Sequence, residues 1–217
     1  MNQDIIKKEL YDNILEGDFE LTEELSKKAI IGGIDVLQTI DDTLIPAIKI
    51  AGERFAKEEY FLPDLMRCAN ALKKALKILE AEIKKSGLER KTKGKIVIGT
   101  VKGDIHEIGK SIVSALLSVN GFDVIDIGVD IDSDTFINKI QEEKADILAM
   151  SALLPITIPY QGKVIADLQA RNLRHLVKIM IGGAPVTQEH CDKIGADGYA
   201  DNAIDAAKLA EELMQKK

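Results

Sequence analysis

The 217-residue sequence has no tryptophan, only 4% aromatic residues, two cysteines, three histidines and no basic cluster. Cys68 and Cys191 stand far apart, without a CxxC or any metal-ligand spacing, so they build neither a disulfide framework nor a zinc site. They are expected to be free thiols. A net charge of -7, with no lysine or arginine run interleaved with aromatics, excludes nucleic acid as the main partner. No apolar run reaches the roughly 18 to 20 residues that a spanning helix needs. The polar start, Met1 to Glu9, holds no signal-peptide core, so a cytoplasmic protein without membrane contact is expected. Internal repeats and low-complexity segments are also absent. What remains is 46% apolar and 30% charged residues, enough for one large or two small globular domains.

Two halves differ in the period of their apolar residues. From Gln3 to Ser86 the pattern is helical, and Leu65, Ala69, Leu72, Leu76, Leu79 and Ile83 form one stripe. Pro63 suits the first turn of that helix and Gly87 its end, which predicts a helix near Pro63 to Ser86. Gly17-Asp18 and Gly32-Gly33 break two further helices, and Pro46 sits early in one ending near Lys57. Four or five helices make a bundle. After the apolar-poor stretch Glu89 to Lys95, short apolar runs alternate with helical segments, as in βαβ units with a parallel sheet. The runs are Ile96 to Val101, Val124 to Val129, Ile147 to Ser151, Lys178 to Ile181 and Gly198 to Ala200. The expected fold is α/β: a helical-bundle cap over 1–88, then a flavodoxin-like, five-stranded, doubly wound domain over 89–217. In that order the first and third strands neighbour each other, and a crevice opens at their carboxyl ends.

The loop after the first strand reads Gly103-Asp104-Ile105-His106-Glu107-Ile108-Gly109. Asp104 stands two residues before His106, close enough for a bent loop to bring the carboxylate onto one ring nitrogen and turn the other outward. A loop histidine beside an aspartate is compatible with a structural, solvated or ligating role. One histidine cannot hold a metal by itself, so any metal must bring its own ligands, as haem or a corrinoid does. Sharper alternatives fail on spacing. The zinc-protease helix needs a second histidine where Lys110 stands. A phosphate-cradling loop needs four residues before Gly-Lys-Ser, whereas five, Asp104 to Ile108, separate Gly103 from Gly109-Lys110-Ser111. No Gly-x-Ser-x-Gly elbow is present, and His175 and His190 occupy peripheral positions.

Asp104-x-His106-x-x-Gly109, followed by Ser151-x-Leu153 and by Gly182-Gly183 after a strand, resembles the motif set of cobalamin-dependent methyltransferases. Gly52-Glu53-Arg54-Phe55 through Phe61-Leu62-Pro63 is similar to the helical cap of the same family, so the resemblance covers nearly the whole chain. The closing segments Gly182-Gly183-Ala184-Pro185-Val186-Thr187 and Gly195-Ala196-Asp197-Gly198-Tyr199 resemble the corrinoid subunits of methanol, methylamine and methoxyaromatic methyltransferase systems.

The resemblance implies cobalamin as cofactor, with His106 as the lower ligand to cobalt in place of dimethylbenzimidazole, held by Asp104. It implies a hydroxyl further along the third-strand loop in the same network, here Thr157 where methionine synthases carry serine. Gly103, Ile105, Glu107, Gly109, Ser151, Leu153, Gly182, Gly183 and Ala184 would border the cofactor and its nucleotide tail. Gly109, Gly182 and Gly183 would admit the tail where a Cβ would collide. Phe55 and Leu62 would cover the methyl-bearing face, or else serve as plain core. The implied activity is methyl carriage between a substrate-specific methyltransferase and an acceptor methyltransferase, with a reductive activator and no turnover by the chain alone. Gly87 to Lys95 would be the hinge of the cap. A cobalamin sensor or storage protein would use the same loop but needs an output module, and none is visible. The cobalamin subunit of an adenosylcobalamin mutase shares the loop, but the helical cap speaks against it.

Overall fold

The computed structural model describes residues 3–86 and 92–215, and the chain divides into two compact units, 1–91 and 92–217. The expected boundary after residue 88 and most of the expected hinge fall among residues 87–91, outside the described ones; Lys95 already belongs to the first strand.

In the first unit, α1 (Gln3–Glu16), α2 (Phe19–Ile31), a short α3 (Val36–Thr39), α4 (Ile45–Ala56) and α5 (Leu62–Ser86) form the bundle. Asp18 and Asp35 begin α2 and α3 by accepting the N–H groups of Leu21 and Gln38, which would otherwise lack partners. Between α3 and α4 the chain runs through one π-helical turn, Ile40–Leu44. Pro46 lacks an N–H and its ring crowds the carbonyl four residues back, and the wider turn lies just ahead of it. Leu10, Ile14, Leu25, Ile40, Leu44, Ile48, Leu65 and Leu79 are fully buried. On α5 the buried stripe departs from the strict repeat, because Leu76 is half-buried while Ala75 and Cys68 are buried. A 3.6-residue turn drifts off a seven-residue repeat, and the smaller residue takes the inner position.

The second unit is a five-stranded parallel sheet ordered β2-β1-β3-β4-β5: β1 (Lys95–Thr100), β2 (Asp123–Asp126), β3 (Ile147–Ser151), β4 (Lys178–Gly182) and β5 (Gly198–Tyr199). This is the expected doubly wound order. Alternation along the strands supplies both faces with apolar side chains. Val97, Leu148, Met150, Ile179 and Ile181 pack with α7 (Ser133–Glu143), α8 (Pro159–Ala170) and α9 (Gln188–Ile194) in one core. Helices α6 (Ile108–Val119) and α10 (Ala203–Gln215) pack together and against the sheet as well. Because β1 and β3 are neighbours whose chains leave toward different helices, the loops at their carboxyl ends bound a crevice.

Candidate functional site

The loop from β1 to α6 is held on three sides. From β1 itself, the buried Thr100 donates its hydroxyl to the carbonyl of His106 at 2.9 Å. From the loop after β2, Asp130 accepts the N–H of Gly103 at 2.8 Å and donates its own N–H to the Asp104 carbonyl at 2.9 Å. Gly103 has φ +83°, a conformation that suits glycine, and Asp130 itself adopts φ +58°. From the loop after β3, Leu153 and Leu154 donate N–H groups to Oδ2 of Asp104 at 2.6 and 3.1 Å, and the Thr157 hydroxyl lies 2.9 Å from the same oxygen.

Asp104 has no exposed surface, and its other oxygen accepts the backbone N–H of His106 at 3.1 Å and lies 2.7 Å from His106 Nδ1. Burial opposes ionisation, but the N–H of Leu153, the backbone and ring of His106 and the Thr157 hydroxyl outweigh it, holding the carboxyl far below the usual carboxylate range. An ionised Asp104 makes Nδ1 the donor, which leaves the Nε2 lone pair free on a side chain that is 46% exposed. The loop therefore presents one oriented imidazole nitrogen.

Beside that nitrogen opens a cavity of ≈ 340 Å³, whose lining runs from His106 and Gly109 past Ile98, Ala149 and Met180 to Ala203 and Ala206. Ser151, Leu153, Gly182, Gly183 and Ala184 line it too. Three glycines expected to make room for a ligand divide here. A Cβ on Gly109 would meet no protein atom within 4 Å, so this position faces open space. A Cβ on Gly183 would stand 1.9 Å from the Ala152 carbonyl oxygen, and one on Gly182 3.0 Å from that of Ala200. The backbone therefore excludes a side chain at Gly183 and crowds one at Gly182, a constraint separate from any tail, and both glycines still line the cavity.

Ile105 is 75% exposed and Glu107 exposed, on the outside of the loop. Ile108 and Ile156 are as bare as Ile105. The sequence reading passed over them, although large aliphatics in and beside two loops follow neither a helix nor a strand period. It also passed over Thr100 and Asp130, whose roles arise only from folding. Lys110 is buried and ion-paired with Asp126, so it is not presented to a phosphate. His175 is exposed, and His190 is half-buried with its pKa lowered by burial; neither lines the cavity. Phe55 and Leu62 lie in the helical unit, at the end of α4 and the start of α5, and both are half-buried. The turn between them is braced by Tyr60, whose hydroxyl donates to the Leu15 carbonyl at 3.0 Å and whose ring lies 5.2 Å from the Arg54 guanidinium.

Among the described residues no group of three or more His, Cys, Asp or Glu could hold a metal ion. A single oriented nitrogen beside an apolar cavity with a bare glycine wall fits a macrocycle that supplies its own equatorial ligands and carries an appended tail. Comparison with known proteins agrees. Residues 94–208 match one family model and residues 6–80 another, both described as B12 binding domain. A corrinoid protein of Desulfitobacterium hafniense is 44% identical over 96% of this chain and 97% of its own length. The trimethylamine corrinoid protein of Methanosarcina barkeri is 38% identical over 94% of both. Among solved structures, the methanol:cobalamin methyltransferase complex of Methanosarcina barkeri superposes with a TM-score of 0.84 at 29% identity, over 100% of this chain and 82% of that one. The chain belongs to the B12-binding corrinoid proteins of methyltransferase systems, and its cofactor is a cobalamin-type corrinoid. No helix among the described residues is long and apolar enough to cross a membrane.

Proposed function

We propose that this chain carries a methyl group between two methyltransferases, with His106 Nε2 as the lower ligand of its corrinoid. The observation that carries the reading is the Asp104–His106 pair: a fully buried carboxylate fixes the ring at Nδ1 and leaves the second nitrogen pointing away, beside the cavity. The bound corrinoid supplies a cobalt centre able to accept and release a methyl group. The chain's own residues hold and orient it. Asp104 and Thr157 keep the imidazole in one tautomer, Gly103, Ile105 and Glu107 shape the loop around it, and Ser151, Leu153, Gly109, Gly182, Gly183 and Ala184 border the space for the nucleotide tail. The donor-specific partner is a methyltransferase, since the methanol:cobalamin methyltransferase complex contains a chain so like this one. An acceptor methyltransferase and a reductive activator complete the proposed cycle. Phe55 and Leu62 are assigned the shielding of the methyl group from water.

The test has two arms. Protein reconstituted with hydroxocobalamin should show the visible spectrum of nitrogen-ligated cobalt, and His106→Ala should lose it; an unchanged spectrum that also ignores lowered pH overturns the ligand assignment. Reduced holoprotein offered methanol, methylamines or methoxyaromatics should do nothing by itself, and should take up one methyl group per chain once its donor-specific methyltransferase is added. Multiple turnover by the isolated chain overturns the carrier reading.

A further inference from the structure

Corrinoid cofactors differ in the base that ends their nucleotide tail, which is a benzimidazole, a purine or a phenol. We propose that the cavity beside His106 selects among them, accepting the carbon-edged benzimidazole and phenol bases and rejecting purines; this rests on the corrinoid reading above.

The argument starts from strand register. Asp126, Ile98, Ala149, Met180 and Gly198 are direct partners across β2, β1, β3, β4 and β5, so they form one row on one face of the sheet. Alanine at the centre of that row, between isoleucine and methionine, leaves a notch. Val113 of α6 and Ala203 and Ala206 of α10 close the space over it, again with apolar side chains.

The row contains one charge, and it is neutralised inside the protein. Asp126 is ion-paired with Lys110, which reaches it from α6 with only 2% of its side chain exposed; Asp126 also accepts the N–H of Gly128 at 2.9 Å. At the α10 end, Asn202 is engaged in starting the helix: its Oδ1 accepts the N–H of Asp205 at 2.9 Å, and its amide donates to Asp201 and Asp205. Lys110, Asp201 and Asn202 are therefore committed to partners within the protein, and the hydroxyl of Ser151, two residues beyond Ala149 on the same face, is left to meet a ligand. The several ring nitrogens and the amine of adenine would give up their water here with the single Ser151 hydroxyl in exchange, a loss that a dimethylated benzene edge or a cresol ring does not incur. Discrimination of this kind comes from polar atoms left unpaired rather than from size.

The measurement is equilibrium binding of apoprotein to three corrinoids, followed by the cofactor's own absorbance: a benzimidazolyl cobamide, an adeninyl cobamide, and cobinamide, which has no base. Benzimidazolyl cobamide should bind at least about tenfold more tightly than adeninyl cobamide. Ala149→Leu, which fills the notch, should lower benzimidazolyl affinity to the level of cobinamide while leaving cobinamide binding in place, and that retained binding shows the variant to be folded. Equal affinity of the wild-type chain for the two cobamides overturns the selectivity. An Ala149→Leu variant that binds cobinamide and still favours benzimidazolyl cobamide as the wild type does places the base elsewhere and overturns the cavity. Failure of all three corrinoids to bind overturns the corrinoid reading itself, and the inference with it.

Discussion

Asp104 accepts five hydrogen bonds, three of them from the loop after β3, while having no exposed surface. An asparagine there keeps one oxygen and turns an NH₂ toward donors. Asp104→Asn is expected to destabilise the second unit by about 2–4 kcal/mol in a chemical melt and to loosen His106. Thr157→Val, which removes one donor, should cost about 1–2 kcal/mol, and Thr157→Ser should recover most of it by restoring the hydroxyl. A melt in which valine and serine behave alike would remove Thr157 from the network. Thr157 was legible in the sequence only by counting along a loop against a family pattern. Thr100 and Asp130 were not legible at all, because nothing local to Thr100 or Asp130 announces that His106 or Gly103 will fold back onto it. In the first unit, burial pushes the Cys68 thiol from 9.0 up to about 11. Its folded pKa is raised, so the stability it contributes is full below about pH 9 and is lost as pH rises through about 11. Native protein should accordingly react with a thiol reagent at pH 8 far more slowly than unfolded protein. Cys68 and Cys191 are both free and buried.

At the scale of elements, the two kinds of glycine separate in one experiment. Gly183→Ala drives a Cβ to 1.9 Å from a carbonyl oxygen at φ +127°, and should cost more than about 3 kcal/mol or prevent folding. Gly109→Ala, in the first turn of α6 with nothing within 4 Å, should leave the melting temperature unchanged or raise it slightly, yet weaken corrinoid binding. If Gly109→Ala bound corrinoid as tightly as wild type, that wall would not be part of the cofactor's space. The strands were readable to within three residues, since parallel strands covered on both faces are short apolar runs. β2 stops at Asp126 rather than Val129 because Gly128, at φ +91°, turns the chain, and that glycine stands in the run as its one visible sign. The π-helical turn, by contrast, was invisible: Ile40–Leu44 would read identically in an ordinary helix, and only the ladder of hydrogen bonds distinguishes it.

At the scale of the whole molecule, His106, its supports and the cavity all lie within residues 92–217. That segment expressed alone is expected to bind corrinoid with the same His106-dependent spectrum as the full chain, and saturation at a hundred times the dissociation constant should stabilise it by about 2.7 kcal/mol. A spectrum that no longer depends on His106 in the segment would show that the ligand needs the helical unit to reach cobalt. Such independence has a limit that protein engineers would meet. Of the donors around Asp104, the seven-residue loop from Gly103 to Gly109 supplies only those of His106; Leu153, Leu154 and Thr157 arrive from beyond β3, and Asp130 from beyond β2. Transplanting the loop onto another doubly wound sheet would carry over the Asp104–His106 pair without the donors that fix Asp104, leaving a carboxylate short of partners and an imidazole with no set direction. The transferable module is three loops in register, not a motif.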